Sequence, residues 1–141
     1  MKFLKISQMV LRAAALLALI LGLIFWWDPS PAVTDPAANP ALKGIHMLLG
    51  IIVVLSLWAM GLAQGRVKGG SFGLAVGTFV AGLIVAIVGL WQETLKGGAG
   101  QGTVELINTV HLLLGLGAVG FGEMIGGRVR RAAKAEAKAE A

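Results

Sequence analysis

The chain has no cysteine and no tyrosine, only two histidines, and just 12 Lys and Arg with 7 Asp and Glu in 141 residues. The lack of cysteine excludes disulfides, thiolate metal sites, iron–sulfur clusters and cysteine nucleophiles. The shortage of ionisable groups also excludes most acid–base catalytic designs. Charged residues make up 13% of the chain, against about 25% in a soluble domain, so they cannot cover a soluble surface. The composition therefore indicates a protein of the lipid bilayer.

The positive net charge does not indicate a nucleic-acid partner. The formal charge is +5 at pH 7, but the cations are strung between apolar runs. A nucleic-acid-binding domain clusters them as a basic patch on a folded, soluble surface. We therefore expect no nucleic-acid partner.

Four apolar runs are each long enough, at about 1.5 Å per residue, to cross a hydrocarbon core of about 30 Å. They cover residues 8–27, 41–63, 71–92 and 104–126. None alternates apolar and polar residues as a membrane-spanning strand would, so helices are expected. We predict an all-α membrane protein, with a four-transmembrane-helix bundle over residues 1–127. A charged, cytoplasmic helical tail is expected over residues 128–141.

The ends of the runs carry signals for helix starts. Asn39 followed by Pro40 suits the start of the second helix, and Thr103 suits the N-cap of the fourth. The first run follows basic residues, as the apolar part of a secretory signal does. We expect it to remain as a span.

The distribution of Lys and Arg predicts the orientation. Lys43 and Lys96 lie on one side of the predicted bundle. Ten cations lie on the other: Lys2, Lys5, Arg12, Arg66, Lys68, Arg128, Arg130, Arg131, Lys134 and Lys138. Since cytoplasmic segments carry the excess of Lys and Arg, both termini are expected to be cytoplasmic. We expect an integral protein of a bacterial inner membrane.

The two halves of the chain resemble each other. A shift of 65 residues places Trp26 on Trp91, and it places both histidines in the same register. We interpret the bundle as two tandem helical hairpins. Because both halves begin on the same side, the repeat is parallel, with its pseudo-twofold axis along the membrane normal. The second and fourth helices should then face each other across this axis.

The two histidines are the main candidates for function. His46 and His111 each lie about 9–12 Å below the start of their helix, at one depth in the outer leaflet. An ionisable side chain at that depth is costly unless it is paired or acts as a ligand. One alternative is a structural histidine that hydrogen-bonds to a neighbouring helix. Two imidazoles brought face to face by the repeat instead predict the axial ligands of a low-spin haem b iron.

Glycines accompany both histidines. Gly50 and Gly115 lie four residues after His46 and His111, which places them one turn deeper and about 40° away on the same helix face. A porphyrin between two helices needs this volume empty, so these glycines are predicted to line the cofactor site. The alternative is close helix packing, since small residues continue along the fourth helix after Gly115.

Two polar residues lie on the outer side of the predicted ligands. Lys43 and Asn108 each precede a histidine by three residues, and the repeat makes them equivalent. A cation and an amide at the membrane interface suit the two haem propionates. The alternative for Lys43 is a side chain that extends to lipid headgroups.

The segments His46 to Gly50 and His111 to Gly115 share the pattern H-x-L-L-G. In a four-helix bundle this pattern resembles the small membrane b-type cytochromes, loosely the cytochrome b561-like group. Members of that group typically hold two haems with four histidines. The resemblance, carried by two histidines, implies one haem and electron transfer.

Three functions compete at this point. The first is a b-type cytochrome that exchanges electrons with quinol or an extracytoplasmic redox protein; with both axial positions filled, electron transfer is expected rather than catalysis. The second is a non-enzymatic accessory subunit, in which either each histidine ligates the magnesium of a chlorophyll-type pigment or the bundle packs against a larger membrane complex, respiratory or photosynthetic. The third is a transporter or an assembly factor with structural histidines; unbroken helices with few mid-membrane polar groups disfavour the transporter.

Overall fold

The computed structural model describes residues 2–27, 39–66, 70–96 and 100–139. Four helices account for nearly all of them: α1 Lys2–Trp27, α2 Pro40–Arg66, α3 Phe72–Lys96 and α4 Gln101–Ala139. Each is long and apolar enough to span a membrane. The structure confirms the predicted all-α bundle with four helices of membrane-spanning length.

The helix starts agree with the sequence in part. α2 begins at Pro40, directly after Asn39. α4 begins at Gln101, and the amides of Thr103 and Val104 both donate to the Gly100 carbonyl, at 3.0 and 3.2 Å. The prediction of Thr103 as N-cap is therefore wrong, because Gly100 already accepts the first bonds of the helix.

The helices are longer than the apolar runs because their polar ends continue in helical conformation. α1 starts at Lys2, and α4 runs without a break through residues 128–139. The predicted tail is thus helical over its described part. Of the residues in the orientation argument, Lys68 lies outside the described residues, and the side chain of Lys96 is not described.

α2 and α4 are the central pair of the bundle. Each packs against the other three helices, whereas α1 and α3 lie on opposite sides of this pair. This arrangement agrees with the prediction that the second and fourth helices face each other. It brings the helices that carry the two histidines into direct contact.

The tightly packed core occupies one half of the bundle. Two apolar clusters meet there on α2 and α4, one with α1 and one with α3. The largest fully buried side chains in the described residues are Leu11, Leu57, Met60, Ile125 and Thr78. We call this the core half: residues 2–14, 53–66, 70–85 and 118–130.

Glycines allow the helices to approach closely in the core half. A Cβ atom at Gly61 would collide with the side chain of Thr78, and one at Gly122 would collide with Leu11. Gly61 therefore lets α2 approach α3, and Gly122 lets α4 approach α1. Small residues at helix contacts are the usual means of packing helices in a bilayer, where the hydrophobic effect does not drive helices together.

The opposite half is open by comparison. We call it the histidine half: residues 15–27, 40–52, 86–96 and 101–117. No side chain described in these ranges is buried, and all are half-buried or exposed. The helices of the histidine half therefore bury less of their side chains against one another than those of the core half do. Cofactor sites in helical bundles are built from side chains on facing helices.

Candidate functional site

His46 on α2 and His111 on α4 form a pair in the histidine half. Their ring centroids are 6.3 Å apart, and the ring planes are inclined at 54°. Both rings are half-buried, with their Nδ1 atoms shielded from solvent. The two histidines of the chain, 65 residues apart in sequence, thus lie side by side between the two central helices.

The separation of the rings suits one metal ion held between them. A metal–imidazole bond is about 2.0 Å and a ring nitrogen lies about 1.1 Å from its ring centre, so two imidazoles on opposite sides of one metal have centroids about 6.2 Å apart. The observed 6.3 Å agrees with this value. The inclination of the planes is no obstacle, because each axial ring can turn about its own metal–nitrogen bond.

Two imidazoles do not complete the coordination shell of a metal by themselves. The described residues contain no group of three or more His, Cys, Asp or Glu side chains that could hold a metal ion. A bare metal site in proteins usually takes three or four such ligands. The pair therefore fits a group that brings its own in-plane ligands, as the four nitrogens of a porphyrin do.

Each histidine ring packs on a glycine of the preceding helix. A Cβ atom at Gly22 on α1 would lie 3.3 Å from Cε1 of His46, and one at Gly89 on α3 would lie 3.3 Å from Cε1 of His111. Each hairpin thus positions its histidine in the same way. The sequence analysis missed this glycine pair because it is separated by 67 residues and falls out of the register that aligns the histidines.

The rings differ in one neighbour. Phe25 approaches His46 edge-on, with ring centroids 5.6 Å apart. It lies three residues after Gly22, and the residue at the same distance after Gly89 is Gln92. The position that corresponds to Phe25 on the adjoining helix of the second hairpin is therefore an amide rather than an aromatic residue.

The glycines one turn deeper than the histidines face open space. A Cβ atom at Gly50 or Gly115 would have no neighbouring atom within 4 Å. In contrast, a Cβ atom at Gly126, further along the small-residue stripe of α4, would lie 2.7 Å from the Gln8 amide. The later glycines of this stripe therefore pack against α1, whereas Gly115 makes no close contact with another helix.

Lys43 and Asn108 lie one turn nearer the helix starts than the histidines, on α2 and α4, and both are half-buried. The two central helices therefore bring all six predicted site residues into the histidine half. Whether Lys43 and Asn108 hold carboxylates stays a prediction.

Comparisons with protein-family models, with curated proteins and with solved structures give no match.

Proposed function

We propose that this protein is a membrane b-type cytochrome that holds one haem b between His46 and His111. The observation that carries the proposal is the imidazole pair, 6.3 Å apart, in the half of the bundle where no described side chain is buried. Haem, when bound there, supplies a one-electron redox couple.

The residues around the pair have distinct roles in this proposal. His46 and His111 would hold the iron. Gly50 and Gly115 keep the adjoining volume free of side chains. Lys43 and Asn108, on the side of the helix starts, are placed to hold carboxylates.

The pigment alternative fits the geometry less well. Two macrocycles would need two metals, one on each histidine. Imidazole centroids 6.3 Å apart leave room between the rings for one metal at about 2.0 Å from one nitrogen of each ring, so a second metal would need the outer nitrogen of a ring. A role as an accessory subunit of a larger membrane complex remains compatible with a single haem.

The partners and the orientation belong to the same proposal. Exposed cations, among them Lys2, Lys5, Arg66 and Arg128, lie at the end of the core half, so this end is proposed to face the cytoplasm. The histidine half then lies in the outer leaflet. Quinol or an extracytoplasmic redox protein is the electron partner that this position allows.

Reporter fusions test the orientation. A reporter that is active only in the cytoplasm is expected to work when fused after Ala141. A reporter active only outside is expected to work when inserted within residues 28–40. The reason is the excess of Lys and Arg at the end of the bundle that carries both termini. The reverse pattern of activities would place the histidines in the inner leaflet.

The glycines that support the histidine rings are expected to be sensitive to branched side chains. Gly22→Val and Gly89→Val should each displace a ring, because even a Cβ atom would lie only 3.3 Å from Cε1. We expect haem content to fall severalfold in these variants. The matched control is Gly44→Val, since Gly44 also lies inside a helix and a Cβ atom there meets no atom within 4 Å. Parent-like haem content in both test variants would show that the two glycines do not position the rings.

The absorbance of the purified protein tests the proposed cofactor. A Soret band with a sharp alpha band on reduction is expected. A far-red band would select the pigment alternative, and a colourless protein after expression with ample haem would contradict both.

A further inference from the structure

A polar network joins α1 to α4 in the core half, far from the histidines. Arg12 forms two hydrogen bonds with Glu123, Nε to Oε1 and Nη2 to Oε2, both at 2.6 Å. The amide nitrogen of Gln8 donates to the same carboxylate at 2.8 Å. Glu123 is therefore committed to Arg12 and Gln8, and its charge is balanced by the paired guanidinium.

The network holds a second arginine in place. Nη1 of Arg130 donates to Oε1 of Gln8, and Gln8 is only 3% exposed. The amide of Gln8 thus bridges Glu123 and Arg130. Since an arginine has five N–H donors and this bond uses a single one, the fixed guanidinium retains donors for a further acceptor.

Two exposed lysines lie one turn beyond this contact. Lys5 precedes Gln8 by three residues on α1, and Lys134 follows Arg130 by four on α4. The two helices run antiparallel, so both lysines lie toward the same end of the bundle. Lys5, Arg130 and Lys134 therefore lie at the same end of the α1–α4 contact, and we call this set the cationic cleft.

An apolar surface adjoins the cationic cleft. Met9 on α1 is 67% exposed. It lies one turn deeper than Lys5 and about 40° from it around a helix that is apolar enough to lie in a bilayer. Cations suit the phosphate of a phospholipid, and an exposed apolar face beside them suits its acyl chains. Basic pockets between helices at a membrane surface are known to bind anionic headgroups.

We propose that the cationic cleft binds the phosphate of an anionic phospholipid whose acyl chains lie along α1 beside Met9. Gln8 holds Arg130 ready for the phosphate, so the guanidinium loses little freedom on binding. Lys5 and Lys134 add charge at the mouth of the cleft. This site is independent of the haem proposal, because it uses other residues in the other half of the bundle.

Thermal unfolding of the purified full-length protein in a neutral detergent tests this site. Phosphatidylglycerol is expected to raise the Tm at lower concentration than phosphatidylcholine. Arg130→Gln should raise the phosphatidylglycerol concentration for half-maximal stabilisation by about fivefold, the effect of one cation near a lipid surface. Lys5→Gln and Lys134→Gln should act in the same direction. Both lysines are exposed, so these substitutions are not expected to affect folding.

Lys138→Gln is the matched control for charge alone. Lys138 is exposed and lies about 12 Å further along α4 than Arg130, beyond the Debye length of about 8 Å at 0.15 M salt. We expect parent-like lipid dependence. An equal loss in Lys138→Gln and in the three cleft variants would overturn the site, as would equal responses to the two lipids. Stabilisation by inorganic phosphate alone, as strong as that by phosphatidylglycerol, would also contradict a lipid ligand.

Discussion

Replacement of either histidine by alanine is expected to abolish the low-spin haem signal. His46 and His111 lie on different helices with ring centroids 6.3 Å apart, so neither helix can supply both axial ligands. One remaining imidazole would retain at most five-coordinate, high-spin haem. The measurement is the spin state of the bound haem in His46→Ala and His111→Ala, by absorbance or electron paramagnetic resonance.

Exogenous imidazole provides the control for these variants. In His46→Gly or His111→Gly, added imidazole should restore the low-spin signal, because it can replace the missing side chain. If the histidines were structural, each alanine variant would keep its cofactor content and lose only an interhelical hydrogen bond, worth about 0.6 kcal/mol. If each held its own pigment, one substitution would remove about half of the pigment and leave the rest spectrally unchanged.

Leucine in place of Gly50 or Gly115 is expected to remove most of the bound haem without unfolding the bundle. A Cβ atom at either position meets no protein atom within 4 Å, so the first atom of a leucine side chain is accommodated, and its branched end is expected to extend into the volume assigned to the porphyrin. The bundle itself should gain slightly, because leucine is favoured over glycine in a helix by up to about 1 kcal/mol. The measurements are haem per protein and the Tm of the haem-free form.

Gly44 and Gly117 are matched controls on the same two helices. Both are exposed, and a Cβ atom at either also meets nothing within 4 Å. Gly44→Leu and Gly117→Leu are expected to retain full haem content, since these positions face away from the histidine pair. Equal haem content in all four variants would show that Gly50 and Gly115 leave space for lipid rather than for a cofactor.

The helices of this protein can be predicted from its apolar runs, but their packing cannot. In a soluble bundle the apolar stripe of a helix marks its buried face. In a bilayer both faces are apolar, so Leu11, fully buried, and Leu16, 58% exposed, are indistinguishable in the sequence. The position of the core in one half of the bundle was therefore not predictable from the pattern.

The candidate site was predictable where repeated residues are rare. Two histidines in one register of the repeat predicted that α2 and α4 bring them together. Gly22 and Gly89 were missed because glycine is frequent in this chain and the pair falls in a different register. The contact of Arg12 with Glu123 spans 111 residues and was also missed, since the charge of Arg12 was interpreted only as an orientation signal.

The haem content and spin state of the purified parent protein test the central proposal most directly. One low-spin haem per chain is the predicted result, because the imidazole pair provides two axial ligands for a single iron. Two cofactors per chain, or one haem that is entirely high-spin, would contradict a haem shared between His46 and His111.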